Sequence, residues 1–131
     1  MSETSHNNLR KLLTFAAIVE FGTGLVALID PAILITLLLG LETSNAGTLL
    51  GRFFGIALIS LSLACWPGRQ ENPPAFQPFR GILLYNAVVA LYLAYLGAIA
   101  HIGGPLLWPA VALHAILSVF LGRVWLAGDH R

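Results

Sequence analysis

The sequence predicts an all-α integral membrane protein: a four-helix bundle with a short interfacial helix between helices 1 and 2, residues 1–131 forming a single transmembrane domain. Three observations carry this reading. Mean hydropathy is +0.81 and only 10% of residues are charged, more apolar surface than a soluble domain of this size can bury. Four apolar runs approach the roughly 20 residues needed to cross a bilayer. Prolines, glycines and polar clusters punctuate the chain between them.

Residues 1–8 are polar, carry no lipidation pattern and read as a frayed lead-in. Helix 1 covers about 9–29. Arg10 and Lys11 resemble the basic start of a signal peptide, but the apolar run is too long, contains Glu20 and lacks an A-x-A cleavage site. It reads as a retained signal anchor. Pro31 cannot extend the helical ladder, and Asp30 with Pro31 makes a good N-cap and first residue for a new helix over about 32–39. That segment is too short to span, so it belongs in the outer interface or folded back onto the bundle.

LETSNAG, residues 41–47, is a polar loop. Helix 2 covers about 48–66 and begins on Gly47, Gly51 and Gly55, a four-residue spacing of small side chains that marks a close helix contact, with Arg52 beside it. The proline-rich connector GRQENPPAFQPF has no reason to form regular structure. Helix 3, about 80–100, carries a small stripe of Asn86, Ala90, Ala94 and Ala98 flanked by Tyr85, Tyr92 and Tyr95. HIGGP, residues 101–105, is a tight turn. Helix 4, about 106–127, tolerates Pro109 in its first turn and lines up Ala110, His114, Ser118 and Gly122.

The basic residues set an orientation. Arg10 and Lys11 precede helix 1, Arg69 and Arg80 lie between helices 2 and 3, and Arg123 and Arg131 close helix 4. All fall on one side, which predicts a multi-pass protein of the bacterial inner (cytoplasmic) membrane with both termini cytoplasmic. Trp66, Trp108 and Trp125 sit near helix ends, where aromatic belts form. A net charge of +1 with no basic cluster gives no footprint for nucleic acid. Cys65 stands alone, so no internal disulfide, CxxC pair or cysteine-based zinc site is available, and it reads as a small buried hydrophobe.

Glu20 is the strongest chemical statement in the chain. Three, four and seven residues away lie Ala16, Ala17, Thr23, Gly24 and Ala27, whereas Ile18, Phe21, Leu25 and Leu28 fall on other faces. A lone charge in hydrocarbon costs about 3 kcal/mol on insertion scales, so Glu20 should turn away from lipid, across the small residues that let another helix approach. Rise per residue puts Glu20 near the midplane, His114 somewhat outward and Arg52 further out, close enough for one polar cluster. Arg52 has Glu20 or Asp30 as partners. Asn86 and Tyr85 fall nearer the cytoplasmic side and make a separate polar spot.

Two readings of these residues stand side by side. They form a hydrogen-bonded tie between helices, or they handle a ligand or a proton. The ligand-binding or proton-handling candidates are Glu20, Arg52, His114, Asn86, Tyr85 and Tyr92, although tyrosine and asparagine also serve as plain interface glue. A metal or haem site would want a second inward histidine, and His6, His101 and His130 lie elsewhere, so no metal and no cofactor is expected. No G-x-S-x-G, Walker or dinucleotide motif occurs.

GRFFGIALISLSLACW in helix 2, YNAVVALYLAYLG in helix 3 and LLWPAVALHAIL in helix 4 resemble the small four-helix bacterial membrane proteins grouped as DoxX-like. That resemblance implies a compact bundle and, for some relatives, an accessory role beside respiratory enzymes; it assigns no catalytic residue. Glu20 followed by Gly22-Thr23 is also similar to small multidrug-resistance transporters. Against that second resemblance stand the one-sided basic bias, the long connectors and the lack of the partner motif in helix 3.

The functional expectation is a small inner-membrane protein whose polar cluster binds a small hydrophobic or lipid-like ligand or which acts as an accessory subunit. The alternatives are a proton-coupled transporter using Glu20 and an intramembrane enzyme with Glu20 as base and His114 as acid. The expected partners are the lipid bilayer, a hydrophobic ligand and either a second copy or a membrane-complex subunit.

Overall fold

Asp30 and Pro31 break the first apolar run where the sequence places the break, and the break shapes everything above it. In the computed structural model, which describes residues 3–66 and 76–129, helix α1 (Glu3–Ile29) stops at Asp30 and α2 (Pro31–Leu39) starts at once. The Asp30 carboxylate accepts the Ala32 N–H at 3.1 Å, capping α2 with proline at its start. Three more helices follow: α3 (Asn45–Ala64), α4 (Phe76–Ala98) and α5 (Leu107–Asp129). The fold is all-α, 85% helical, with no strands among the described residues. The segments Asn7–Ile29, Asn45–Ala64, Arg80–Ala98 and Leu107–Val124 are long and apolar enough to cross a membrane.

Several ends differ from the predicted ones. The lead-in is not frayed from residue 3 onward: α1 begins at Glu3, because nothing in ETSHNNLR breaks a helix. Ser44 accepts the Gly47 N–H at 3.1 Å as an N-cap, which starts α3 at Asn45 inside the supposed polar loop. α4 begins at Phe76, so residues 76–79 of the proline-rich connector are helical, with Pro78 tolerated in the first turn. Arg69 and the connector's earlier residues, like Arg131 and His130, lie outside the described residues.

The spanning helices pack as two antiparallel pairs, α1 with α3 and α4 with α5. In the first pair a Cβ added at Gly24 would meet the Gly55 carbonyl oxygen at 2.9 Å, and one at Gly55 would meet Gly24 O and Leu28 N at 2.7 Å. Backbone lies against backbone here, as the glycine spacing predicts. Gly51 packs on Pro31, while Gly47 meets only Thr43 and Ser44 of its own cap. In the second pair Gly97 lies under Leu107 and Trp108.

Toward the end where α1 begins, the two pairs share a core of Leu9, Leu13, Ala16, Cys65, Ile82, Leu117 and Leu121. At the other end α2 folds back onto the bundle, touching α1, α3 and α5. Three of its last carbonyls are taken: Thr36 by the N–H of Gly40, Leu37 by Leu106 and Leu38 by Gly104, at 2.9, 2.9 and 2.7 Å. Gly40 reaches its bond with φ 68, a left-handed cap suited to glycine. Gly104 can come so close because a Cβ there would run into the Thr36 and Leu37 oxygens. The turn before α5 is therefore pinned to α2.

Candidate functional site

One helical turn beyond the shared apolar core the buried residues change character. Ala16, Ile82 and Leu117 belong to the core, and Glu20, Asn86 and His114 stand four, four and three residues further along α1, α4 and α5. Because α5 runs opposite to the other two, all three steps lead the same way, toward the end where α2 lies. A polar layer spans the seam between the helix pairs.

Glu20 is 1% exposed. Its inward face is the small one, with Ala16, Ala17, Gly24 and Ala27 buried, while Ile18, Phe21 and Leu25 are exposed. Asn86 is 0% exposed and fully committed. Its Nδ2 donates to the Ile82 carbonyl one turn back at 2.8 Å, which makes Oδ1 the group that faces His114 Nδ1, also at 2.8 Å. An amide oxygen only accepts, so Nδ1 carries the proton, and the Nε2 of a neutral His114 ring is left as an acceptor.

His114 also comes within 3.9 Å of Glu20 Oε1, near enough for charge attraction and too far for a hydrogen bond. The Tyr85 ring meets the imidazole edge to face, with centroids 6.0 Å apart and planes at 83°. Its hydroxyl hydrogen-bonds the Glu20 carboxylate. After these contacts one atom is left over: Glu20 Oε1 is buried with no hydrogen-bond donor.

The predicted residues therefore divide differently from the expectation. Tyr85 and Asn86 are no separate spot; they join Glu20 and His114 in one layer. The depth estimate failed because it set the expected helix ends level, whereas packing puts Ala16 and Ile82 in one core layer and so brings residues 20 and 86 level. Arg52 is not part of the cluster: it is exposed on α3 and makes no ion pair or hydrogen bond among the described residues. The inward face of α3 is Gly51, Gly55, Leu58 and Ser62, and Arg52 is turned about 100° from Gly51. Tyr92, 60% exposed, faces outward. No local sequence signal unites the layer, because packing between helices decides that Ala16 and Ile82 lie level.

Chemically the layer offers a carboxylate with one free oxygen and an imidazole with one free nitrogen. Among the described residues no group of three or more histidine, cysteine or acidic side chains gathers as a metal would require. No protein-family model, curated protein or solved structure matches the chain.

Proposed function

We propose that this is a small inner-membrane four-helix protein that takes the polar end of a hydrophobic or lipid-like molecule into the seam between its helix pairs. The observation that carries the reading is Glu20 Oε1. A buried acceptor left without a donor costs roughly 1–3 kcal/mol, and more when charged, so such atoms are rare unless something else fills the vacancy. The missing partner is a donor, a hydroxyl or amine on a molecule that reaches mid-membrane depth through its apolar body. His114 Nε2 adds an acceptor in the same layer.

The orientation offered with this proposal puts both termini in the cytoplasm, supported by Arg10, Lys11, Arg80 and Arg123 at one end of the bundle. The DoxX-like resemblance fits a role as an accessory subunit that presents such a molecule to a larger membrane complex.

The test is Glu20→Gln, which keeps size and burial but replaces one of the two accepting oxygens with an NH2 donor. Solvent extraction and mass spectrometry of the wild-type protein, purified in mild detergent, should release a stoichiometric amphiphile. The variant should lose it while resisting unfolding to within about 0.5 kcal/mol of wild type. Wild-type protein that carries nothing, or a variant that carries the same molecule, would overturn the reading.

Proton-coupled transport is the second reading, and the 3.9 Å approach of His114 Nδ1 to Glu20 favours it, since two titratable groups meet at mid-membrane depth. It requires flux driven by a pH gradient in proteoliposomes that Glu20→Gln abolishes.

A further inference from the structure

The two ends of the bundle are closed in different ways. At the end where α1 begins, both pairs contribute to one apolar core, with Leu13 from α1, Cys65 from the end of α3, Ile82 from α4 and Leu117 from α5. The buried members of that core stop at Ala16, Ile82 and Leu117, one turn short of the polar layer. Past that layer each pair packs on itself: Gly24 and Ala27 lie against Gly55, and Gly97 lies under Leu107. Here α2 reaches from one pair to the other, touching α1, α3 and α5.

The hold of α2 on the second pair is slight. Pro31 is its one buried residue, and residues 32–39 are half-buried or exposed. In lipid such leucines lose little on leaving protein for acyl chains that are equally apolar. The hydrogen bonds that fix α2 to the second pair are Gly104 N–H to Leu38 O and Leu106 N–H to Leu37 O. A short element with so little buried surface opens locally at a fraction of the global unfolding free energy.

Both ends of α2 are places where the chain turns. Pro31 lacks an N–H, so the hydrogen-bond ladder of α1 ends at the Asp30 N–H, which reaches Val26 O at 2.9 Å. At the other end Gly40 takes φ 68 and leads into residues 41–44, which belong to no helix. Dihedral changes at a few such terminal positions are how an element swings as a body. Gly104 is the counterpart of α2 in this arrangement. A Cβ at Gly104 would run into the Thr36 and Leu37 oxygens, so the two bonds form only with glycine there.

We propose that α2 is a latch that controls access to the seam. With the Leu38–Gly104 and Leu37–Leu106 bonds made, the pairs are held together at both ends and Glu20, 1% exposed, is shut in. With those bonds broken, α2 swings on Asp30-Pro31 and Gly40, and the pairs part at this end while the apolar core holds the other. The polar layer, ten residues or about 15 Å of rise from Asp30 along α1, then opens to molecules in the lipid. As control over a bound molecule the latch rests on the seam-binding reading, to which it adds regulation: α2 sets how fast the molecule enters and leaves.

The experiment measures how fast dicyclohexylcarbodiimide, an apolar reagent for membrane carboxyl groups, modifies Glu20 in the full chain in liposomes, read by peptide mass spectrometry with Glu20→Gln as the blank. Leu37→Cys with Leu106→Cys, in a Cys65→Ala background, places a reducible disulfide across residues whose backbones are hydrogen-bonded. Oxidation should slow modification of Glu20 by about tenfold or more relative to the same protein reduced, and reduction should restore the rate. Gly104→Ala, which pushes the turn off α2, should speed it by about tenfold, the factor that two lost hydrogen bonds are worth together. The cysteine pair covers the case in which Gly104→Ala does not fold, and Gly104→Ala covers the case in which the disulfide does not close. Equal rates in the oxidised and reduced protein, or in Gly104→Ala and wild type, would overturn the latch. A latch-dependent rate in a protein that carries no amphiphile would uphold the latch and sink the seam-binding reading; a bound amphiphile that Glu20→Gln releases, with latch-independent rates, would do the reverse.

Discussion

Replacing Asn86 and His114 by alanine, singly and together, isolates the side-chain bond that joins α4 to α5 in the polar layer. Asn86→Ala alone removes the 2.8 Å bond to His114, removes the 2.8 Å bond to the Ile82 carbonyl and leaves a void at a fully buried position. It should cost about 2–3 kcal/mol. Most of that is not the pair. In the double-mutant cycle the Ile82 bond and the void appear on both sides and cancel, leaving the Asn86–His114 coupling. Interhelical hydrogen bonds in membranes average about 0.6 kcal/mol and reach about 1.7. Asn86 has no exposure and its oxygen serves this one bond, so the coupling should sit in the upper half of that range, about 1 kcal/mol. Reversible unfolding in mixed micelles of rising SDS fraction, followed by far-UV circular dichroism, reads all four proteins. A coupling indistinguishable from zero would refute the bond, and with it the assignment of the proton to Nδ1.

Helix packing and the charge bias each yield a further expected outcome. Gly55→Leu should destabilise by about 1–3 kcal/mol or more, because the atoms its Cβ would meet at 2.7 Å are backbone and cannot move aside. Gly22→Leu, with nothing within 4 Å, should stay within about 0.5 kcal/mol of wild type, and equal effects in the same micelle assay would contradict the pairing of α1 with α3. For orientation, cysteines introduced at Asn7 and Glu42 in a Cys65→Ala background can be probed with a membrane-impermeant maleimide on intact spheroplasts. Position 42 should label at once and position 7 only after lysis; the reverse pattern would invert the topology.

The fold was legible because hydrophobicity and breakers act locally. Asp30-Pro31 announces both the end of α1 and the start of α2 in two residues, and the cap forms as those residue types dictate. Gly51 and Gly55 were legible for a similar reason, since only closely packed backbone gives such spacing a purpose. Glu20 was legible through its neighbours, whose size alone picks out the inward face. What failed was rotation and register between helices that no short-range rule links. Arg52 is one residue from Gly51, yet that single step of about 100° carries it from the seam to the surface. Asn86 was misplaced for the same reason: only packing reveals that Ile82 lies level with Ala16, which brings Asn86 level with Glu20.

The two kinds of contact in this bundle imply where it yields. Within the α1–α3 pair the helices touch backbone to backbone, and any separation forfeits many small dispersion contacts at once. Between the pairs, in the polar layer, contact runs through a few side chains whose hydrogen bonds average about 0.6 kcal/mol each in a membrane. On the proposed function, a molecule entering from the lipid would therefore meet least resistance at the seam. Once there, a donor group can bind Glu20 Oε1 while the Asn86–His114 and Tyr85–Glu20 bonds remain intact, so that binding adds a hydrogen bond to the layer and displaces none.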